Sequence, residues 1–203
     1  MSDNVVVHIV DDDEALSDST KMLLEAAGFA CATYSSARAF LDAAHTARGC
    51  ALVDVRMPEM DGIALLRALR TRRADLPVII ITGFADVPLA VQAMKEGAVD
   101  FIEKPTPRDA LTGAVRRALD AVRPTEIGGA ERQEALGRLN QLTQREREVL
   151  ELLVSGNANK AVAHKLGISP RTVEIHRSRL MEKTGAGSLA GLVRLALAGG
   201  IHG

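Results

Sequence analysis

Short apolar runs alternate along this chain with segments whose apolar residues recur at helical spacing, and this alternation limits the folds open to it. The apolar runs cover residues 5–10, 30–33, 51–55, 77–81 and 99–102. The first and fourth runs are rich in β-branched residues, as expected for strands that are covered on both faces of a parallel sheet. Five strand–helix units in about 120 residues predict an α/β doubly wound domain with a five-stranded parallel sheet.

The remainder of the chain differs from this first part in charge. Residues 1–122 carry 18 acidic and 13 basic side chains, whereas residues 123–203 carry 8 acidic and 12 basic ones. The net charge of −1 therefore conceals an acidic part and a basic part, which suggests two separate functions. Pro124 and the pair Gly128-Gly129 interrupt the helical pattern at the junction, as is typical of a linker. Near-neutrality of the whole chain thus does not exclude a nucleic-acid partner.

Composition excludes several classes of protein. No apolar run approaches the roughly 18–20 residues that a membrane helix requires, so we expect no membrane partner. The apolar stretch near the N-terminus has no basic segment before it, which argues against a secretory signal. Two cysteines, Cys31 and Cys50, cannot staple a secreted scaffold, so a reduced, cytoplasmic protein is expected.

Polar side chains follow four of the five predicted strands. Asp11, Asp12 and Asp13 follow the first, Asp54 the third, Thr82 the fourth and Lys104 the fifth. Each feature alone is more often a solvated turn or a helix cap, but the carboxyl ends of parallel strands share one edge of a sheet. Crowded carboxylates need a cation, and oxygen ligands that leave room for a phosphoryl group favour Mg²⁺. The pattern predicts that Asp54 is a nucleophile forming an aspartyl phosphate and that Lys104 supplies positive charge.

Residues 4–122 resemble the receiver domain of two-component response regulators. The resemblance lies in His-Ile-Val-Asp-Asp-Asp at 8–13, Asp-Val-Arg-Met-Pro-Glu-Met-Asp-Gly at 54–62, Ile-Thr-Gly at 81–83 and Phe-Ile-Glu-Lys-Pro at 101–105. The second of these runs is highly specific. The family has a flavodoxin-like fold and accepts a phosphoryl group from a histidine kinase.

This resemblance also implies a role for individual residues. Asp54 would be the phosphoacceptor, and a Mg²⁺ ion would be held by Asp11, Asp12, Asp54 and the backbone carbonyl of Arg56. Thr82 and Lys104 would contact the phosphoryl group, and Phe101 would be an aromatic switch where the family often has tyrosine. The bond between Lys104 and Pro105 would be a cis peptide.

The basic part of the chain is purely helical in pattern. Thr143 and Glu146 form a capping-box pattern before an apolar stripe. A short helix is predicted over 159–166, followed by a turn at Gly167, an N-cap at Ser169 and a basic helix over 170–184. This is helix-turn-helix anatomy, although a plain helix bundle with solvated charges would share many of these features.

Residues 139–203 form the predicted second domain, and residues about 139–199 of it resemble the LuxR-type DNA-binding domain. The matching stretches are 142–150, 159–160 and 169–177. The resemblance implies an all-α, four-helix domain whose helix 170–184 enters the major groove. Its base-facing residues would be Glu174, Ile175 and Ser178. Those expected to meet phosphates are Lys160, Arg171, Thr172, Arg177 and Arg179, while His176 either binds phosphate or packs.

The domain order, with a linker over 123–138, most resembles the FixJ/NarL-like family. It predicts a response regulator transcription factor of a two-component phosphorelay that regulates transcription. Phosphorylation of Asp54 by a cognate histidine kinase would promote homodimerisation and binding to double-stranded operator DNA with two half-sites. RNA polymerase is a candidate partner. We expect no enzymatic activity beyond the chain's own phosphoryl acceptance and loss.

Two other functions stay open at this stage. The first is a binding module that works without phosphorylation. The presence of all the polar residues at the predicted strand ends argues against it. The second is a phosphohydrolase that uses Asp54 as nucleophile. Such enzymes usually carry an acid/base aspartate two residues later, where this chain has Arg56.

Overall fold

All five predicted strands form and pair into one parallel sheet in the order β2-β1-β3-β4-β5. The structure, a computed structural model, describes residues 5–83, 86–120 and 128–201, with no side-chain description for 128–131. The strands are β1 (Val6–Val10), β2 (Ala30–Tyr34), β3 (Gly49–Asp54), β4 (Val78–Thr82) and β5 (Asp100–Glu103). The α/β prediction is confirmed, with strand ends within two residues of those expected.

Helices alternate with these strands and then continue alone. The helices of the first half are α1 (Glu14–Glu25), α2 (Ala37–Ala43), α3 (Gly62–Arg72), α4 (Val87–Lys95) and α5 (Arg108–Asp120). Those of the second half are α6 (Gly128–Leu139), α7 (Gln144–Val154), α8 (Asn159–Leu166), α9 (Pro170–Thr184) and α10 (Leu189–Ala198). The predicted boundaries of α8 and α9 are reproduced.

The inner strands β1, β3 and β4 are buried because they are apolar on both faces. On one face, side chains of β1, β3 and β4 pack against α1 and α5 in a single cluster, which includes Val7, Leu52, Ile79, Leu111 and Val115. Each of these five side chains is at most 3% exposed. This burial stabilises the sheet that carries the polar strand ends.

The described residues divide into two compact units. One holds the sheet with α1, α2, α3 and α5, and the other holds α6 to α10 together with most of α4. No helix in the described ranges is long and apolar enough to span a membrane. The predicted boundaries at 4, 122 and 123, and residues 124–127 of the predicted linker, lie outside the described residues.

Most of the rest of the predicted linker is helical. Residues 128–138 lie in α6, which packs against α9 and α10. Ala135 and Leu139 of α6 are buried, and a Cβ atom at Gly199 would lie 2.3 Å from Leu139 Cδ1. A side chain at this position would require Leu139 to move, so the end of α10 lies close against α6.

Candidate functional site

The side chains predicted to act on a phosphoryl group gather at the carboxyl edge of the sheet. All strand pairs are parallel, so their carboxyl ends lie on one side. β1 leads directly into Asp11, β3 and β4 end at Asp54 and Thr82, and β5 is followed by Lys104. The sheet therefore places these four residues at one edge.

The Lys104 ammonium lies between the two buried carboxylates. Its Nζ is 2.7 Å from Asp11 Oδ2 and 2.6 Å from Asp54 Oδ1. Both aspartates are only 6% exposed, and a pair of carboxylates this close would repel each other without a cation. Burial by itself would lower the pKa of Lys104, but its hydrogen bonds to Asp11 and Asp54 outweigh that effect and raise the pKa. The ammonium therefore stays charged at neutral pH.

The second oxygen of Asp54 is held by the backbone that follows it. The Arg56 amide donates to Asp54 Oδ2 over 2.5 Å, so both carboxylate oxygens have fixed donors. Helix α3 begins very close to this strand end, since a Cβ atom at Gly62 would lie 2.2 Å from the Asp54 carbonyl oxygen. The glycine that ends the 54–62 motif is thus required by the close approach of two backbone segments.

The loop between Asp54 and α3 contains a strained residue. Glu59 has φ of 64°, and it is the one non-glycine residue with positive φ among those the structure describes. The Met60 amide donates to the Pro58 carbonyl over 2.7 Å, which closes a three-residue turn around Glu59. A left-handed backbone costs an ordinary L-residue about 1–2 kcal/mol, so this loop stores strain beside Asp54.

The residues predicted to hold Mg²⁺ are brought together in part. Asp11 and Asp54 share Lys104, whereas Asp12 points to the surface next to Asp11 and is exposed. Asp13 has a different task, because its side chain caps α1 by accepting from the Leu16 amide over 3.0 Å. In the described ranges, no three His, Cys, Asp or Glu side chains are grouped to hold a metal. Two carboxylates with water nevertheless suit Mg²⁺, which rarely uses an all-protein cage.

Two further residues of the predicted site are Thr82, at the edge itself, and Phe101, within β5. Thr82 is 1% exposed, and its carbonyl accepts from the Lys104 amide over 2.8 Å, which fixes the start of the loop that carries the lysine. Phe101 lies in β5 beside Ile80 and is 8% exposed. The peptide bond between Lys104 and Pro105 is cis, as predicted. Their roles toward a phosphoryl group stay predictions.

His8 belongs to the core, as the sequence indicated. It is 6% exposed, with Nδ1 3.3 Å from the Tyr34 hydroxyl and Nε2 3.3 Å from the Arg48 carbonyl. Its ring packs on Tyr34 and Phe40, and burial lowers its pKa. These contacts give His8 a structural place in the sheet.

The helix-turn-helix is built by local signals. Gly167 ends α8 with φ of 63°, a left-handed conformation that suits glycine. Ser169 caps α9 by accepting from the Thr172 amide over 3.1 Å, and Pro170 occupies the first helical position. These predictions are confirmed.

The outer side of α9 is an exposed polar face, which we call the recognition face. It is opposite Val173 and Leu180, which are fully buried. Spacings of three and four residues place its members on one side of the helix. The exposed residues of this face are Arg171, Glu174, Ile175, Ser178 and Arg179. Lys160 of α8 is exposed as well.

Three of the residues predicted to contact DNA are half-buried, and two of them already form hydrogen bonds within the domain. Thr172 Oγ1 is 2.8 Å from Ser169 Oγ, and Arg177 Nη1 donates to Asn159 Oδ1 over 3.3 Å. His176 Nδ1 is buried without a hydrogen-bond partner in the part of the chain that the structure describes. The ring of His176 therefore packs on one side, and its contact with phosphate stays a prediction.

The structure reveals anchors of α9 that the sequence analysis missed. Lys183 Nζ is 2.7 Å from Glu146 Oε2, so the end of α9 is tied to the capping box of α7. Although burial raises the pKa of Glu146, hydrogen bonds from Lys183 and Thr143 lower it to about 2. Arg138 of α6 donates to the Thr184 carbonyl over 3.1 Å. Partners so far apart in sequence leave no local pattern.

Two protein families match this chain. Residues 7–116 match the response regulator receiver domain, and residues 140–196 match the bacterial regulatory proteins of the luxR family. Together these matches cover most of the chain, the first containing the whole sheet and the second the helix-turn-helix.

Curated relatives and solved structures agree with these matches. The transcriptional regulatory protein FixJ of Azorhizobium caulinodans is 50% identical over 99% of this chain and 96% of its own length. FixJ of Rhizobium meliloti is 48% identical over 96% of each chain. A crystal structure of full-length FixJ from B. japonicum is 44% identical, covers 97% of both chains and has a TM-score of 0.58.

Proposed function

This chain belongs to the FixJ-like response regulators, transcription regulators with a receiver domain and a LuxR-type DNA-binding domain, and we propose that phosphorylation of Asp54 switches its DNA binding. The observation that carries this proposal is the geometry of the Asp54 carboxylate. Lys104 holds one of its oxygens and the Arg56 amide holds the other at the open edge of the sheet. A carboxylate oriented in this way is suited to attack a phosphoryl group.

Phosphoryl transfer to Asp54 requires positive charge around the incoming oxygens. Lys104 supplies one charge and can turn from the carboxylates toward a phosphoryl group. Asp11, Asp12, Asp54 and the Arg56 carbonyl would hold Mg²⁺, because this donor set contains only oxygen. When bound, the ion would neutralise charge shared by the carboxylates and the phosphoryl oxygens.

Thr82 at the edge and Phe101 in β5 would respond to the phosphorylated state. A phosphoryl group carries about −1.5 to −2 charges and strong acceptor oxygens, which would draw Thr82 toward it. Phe101 lies close by in β5, so a shift of the loop after β4 would select a second arrangement of this region. By family resemblance the altered face comprises residues 87–97 and 99–101, where two phosphorylated receivers would form a homodimer.

The second unit would bind double-stranded DNA through α9. The recognition face would enter the major groove with Glu174, Ile175 and Ser178 toward the bases. The residues that would meet phosphates are Lys160, Arg171, Thr172, Arg177 and Arg179, with His176 as a further candidate. A dimer would span two half-sites of an operator, and the protein itself would act in the cytoplasm.

The switch is tested by mass spectrometry and sedimentation of the full chain with a small acyl phosphate and Mg²⁺. We expect wild type to gain the mass of one phosphoryl group on Asp54 and to shift to dimer. Asp54→Asn should do neither, while Asp13→Asn, which alters only a helix cap, should do both. Equal labelling and dimerisation of wild type and Asp54→Asn would overturn the proposal. Steady hydrolysis of a phosphate monoester by wild type would instead indicate an enzyme.

A further inference from the structure

The recognition face carries two residues that a surface built only to bind phosphate would not carry. Glu174 is exposed, and its carboxylate forms no hydrogen bond or ion pair with any residue that the structure describes. Ile175 beside it is 46% exposed and offers an aliphatic surface on the same side of the helix. A carboxylate that approaches DNA is repelled by phosphates, so this position needs a reason other than backbone binding.

The geometry of α9 places both residues on the exposed side that the proposed function turns toward the major groove. Val173 and Leu180 fix the inner side of the helix, because both are fully buried. Glu174 and Ile175 lie near the middle of the outer side, with Arg171 one turn before them. The flanking cations suit phosphates, which leaves Glu174 and Ile175 facing the floor of the groove. Neighbouring positions on a helix differ by about 100°, so these two side chains would reach adjacent base pairs.

The chemistry of the major groove selects a partner for each side chain. A carboxylate only accepts hydrogen bonds, and the cytosine N4 amino group is a donor that is well suited to it. Adenine also offers an amino donor, but its N7 acceptor lies beside that group and repels a carboxylate. An aliphatic side chain gains most from the C5 methyl group of thymine. Guanine offers neither a methyl group nor a major-groove donor.

We propose that each half-site contains a cytosine read by Glu174 and an adjacent thymine read by Ile175. This assignment rests on the proposed DNA-binding function and specifies the base sequence that the recognition face prefers. Arg171 strengthens binding through phosphate without changing that preference. Glu174 and Ile175 are therefore specificity-determining residues.

The first test is selection from a random double-stranded DNA library by the full-length protein with phosphodonor. Wild type should enrich cytosine at one position of each half-site. Glu174→Gln should move that position from cytosine to adenine, which glutamine can bind through two hydrogen bonds, with about a tenfold change in relative affinity. The matched control, Arg171→Gln, should weaken binding and leave the preferred sequence unchanged.

The second test alters the DNA, so it does not depend on the folding of a variant. Replacing the adjacent thymine by deoxyuridine removes only the methyl group. Wild type should bind the deoxyuridine site roughly fourfold more weakly, as expected for the burial of one methyl group. Ile175→Ala should bind both sites equally.

The outcomes separate this assignment from the proposed function. Enrichment of a sequence whose bases do not respond to Glu174→Gln, or equal binding of thymine and deoxyuridine sites by wild type, overturns the assignment and leaves DNA binding intact. Enrichment of no sequence by wild type overturns both.

Discussion

The carboxyl edge of the sheet and the recognition face of α9 differ in how their charged side chains are paired. At the edge, Asp11, Asp54 and Lys104 are mostly buried and satisfy one another through hydrogen bonds of 2.6–2.7 Å. On the recognition face, Arg171 and Glu174 are exposed and directed to solvent. The charges of the first site pair with one another within the chain, whereas those of the recognition face point to solvent and are available to a ligand.

The two sites differ in how much their charged groups contribute to the stability of the free protein. A buried charged group must have its partners in place, because an unpaired charge inside a protein is strongly destabilising. An exposed charge costs little, so it can be kept for a ligand. Substitutions at the edge should therefore change stability, and substitutions on the recognition face should change binding.

The largest loss of stability is expected for Lys104→Met. It leaves two carboxylates buried without a cation, so we expect the sheet unit to lose about 3 kcal/mol of stability. Because Mg²⁺ would replace the lost charge, millimolar Mg²⁺ should restore part of that loss. Tyr34 is the single tyrosine and there is no tryptophan, so its fluorescence during urea unfolding reports this unit. The control is Lys95→Met at an exposed lysine. Equal stability of the two variants would contradict the contrast.

The second unit also contains a buried carboxylate, Glu146, which is paired with Lys183 of α9. Glu146→Gln should destabilise this unit by about 2 kcal/mol at neutral pH, since it removes the ionic partner of Lys183. The folded pKa of Glu146 is depressed to about 2, so its contribution is full above about pH 4.5 and is lost as pH falls toward 2. Amide hydrogen exchange in α7 and α9 measures the stability of this unit as a function of pH.

The control for this prediction is Glu151→Gln, an exposed position on the same helix. It should shift stability little at any pH. If the difference in stability between Glu146→Gln and wild type persisted unchanged at pH 2, the carboxylate charge would not be the cause of that difference.

A smaller effect is expected from Glu59→Gly in the loop next to Asp54. Glycine adopts positive φ without a steric penalty, although it loses more entropy on folding, so the net gain in stability should be about 1 kcal/mol. The same change at Glu103, in β5 with ordinary backbone, should destabilise. Tyrosine fluorescence in urea measures both. A loss of stability with Glu59→Gly would mean that the strain is absent.

The smallest change in stability is predicted for Arg171→Gln, on the exposed side of the comparison. Unfolding free energy should stay within about 0.5 kcal/mol of wild type. DNA affinity should fall, and the slope of log affinity against log salt should decrease by about 1, because one phosphate contact is lost. Arg132→Gln, on the exposed surface of α6, is the control and should leave the slope unchanged. An unaltered slope in Arg171→Gln would remove this arginine from the interface.

Local signals explain which parts of the fold were predictable. The strands are recognisable from their apolar runs, and α9 from Ser169, Pro170 and Gly167, because these signals act within a few residues. The contacts of Lys104 with Asp11 and Asp54 span 93 and 50 residues. The predicted strand ends and the family resemblance both placed these residues in one site, but no local pattern indicates that the ammonium lies between the two carboxylates.

The same reasoning explains what was missed in the second unit. The sequence suggested that α6 could be a linker, since a short amphipathic helix does not reveal what it packs against. Its buried Ala135 and Leu139, and the donation from Arg138 to Thr184, depend on the tertiary arrangement of α6, α9 and α10. The half-buried positions of Thr172 and Arg177 on the basic helix have the same origin.

Under the proposed function, the buried site at Asp54 controls DNA binding by the exposed recognition face. The most direct test measures affinity of the full chain for the DNA sequence enriched by library selection, by fluorescence anisotropy, with and without acyl phosphate and Mg²⁺. We predict that phosphodonor raises wild-type affinity at least about tenfold, within the range of ordinary allosteric coupling, and leaves Asp54→Asn unchanged. The same affinity for wild type with and without phosphodonor, at full labelling of Asp54, would contradict the account.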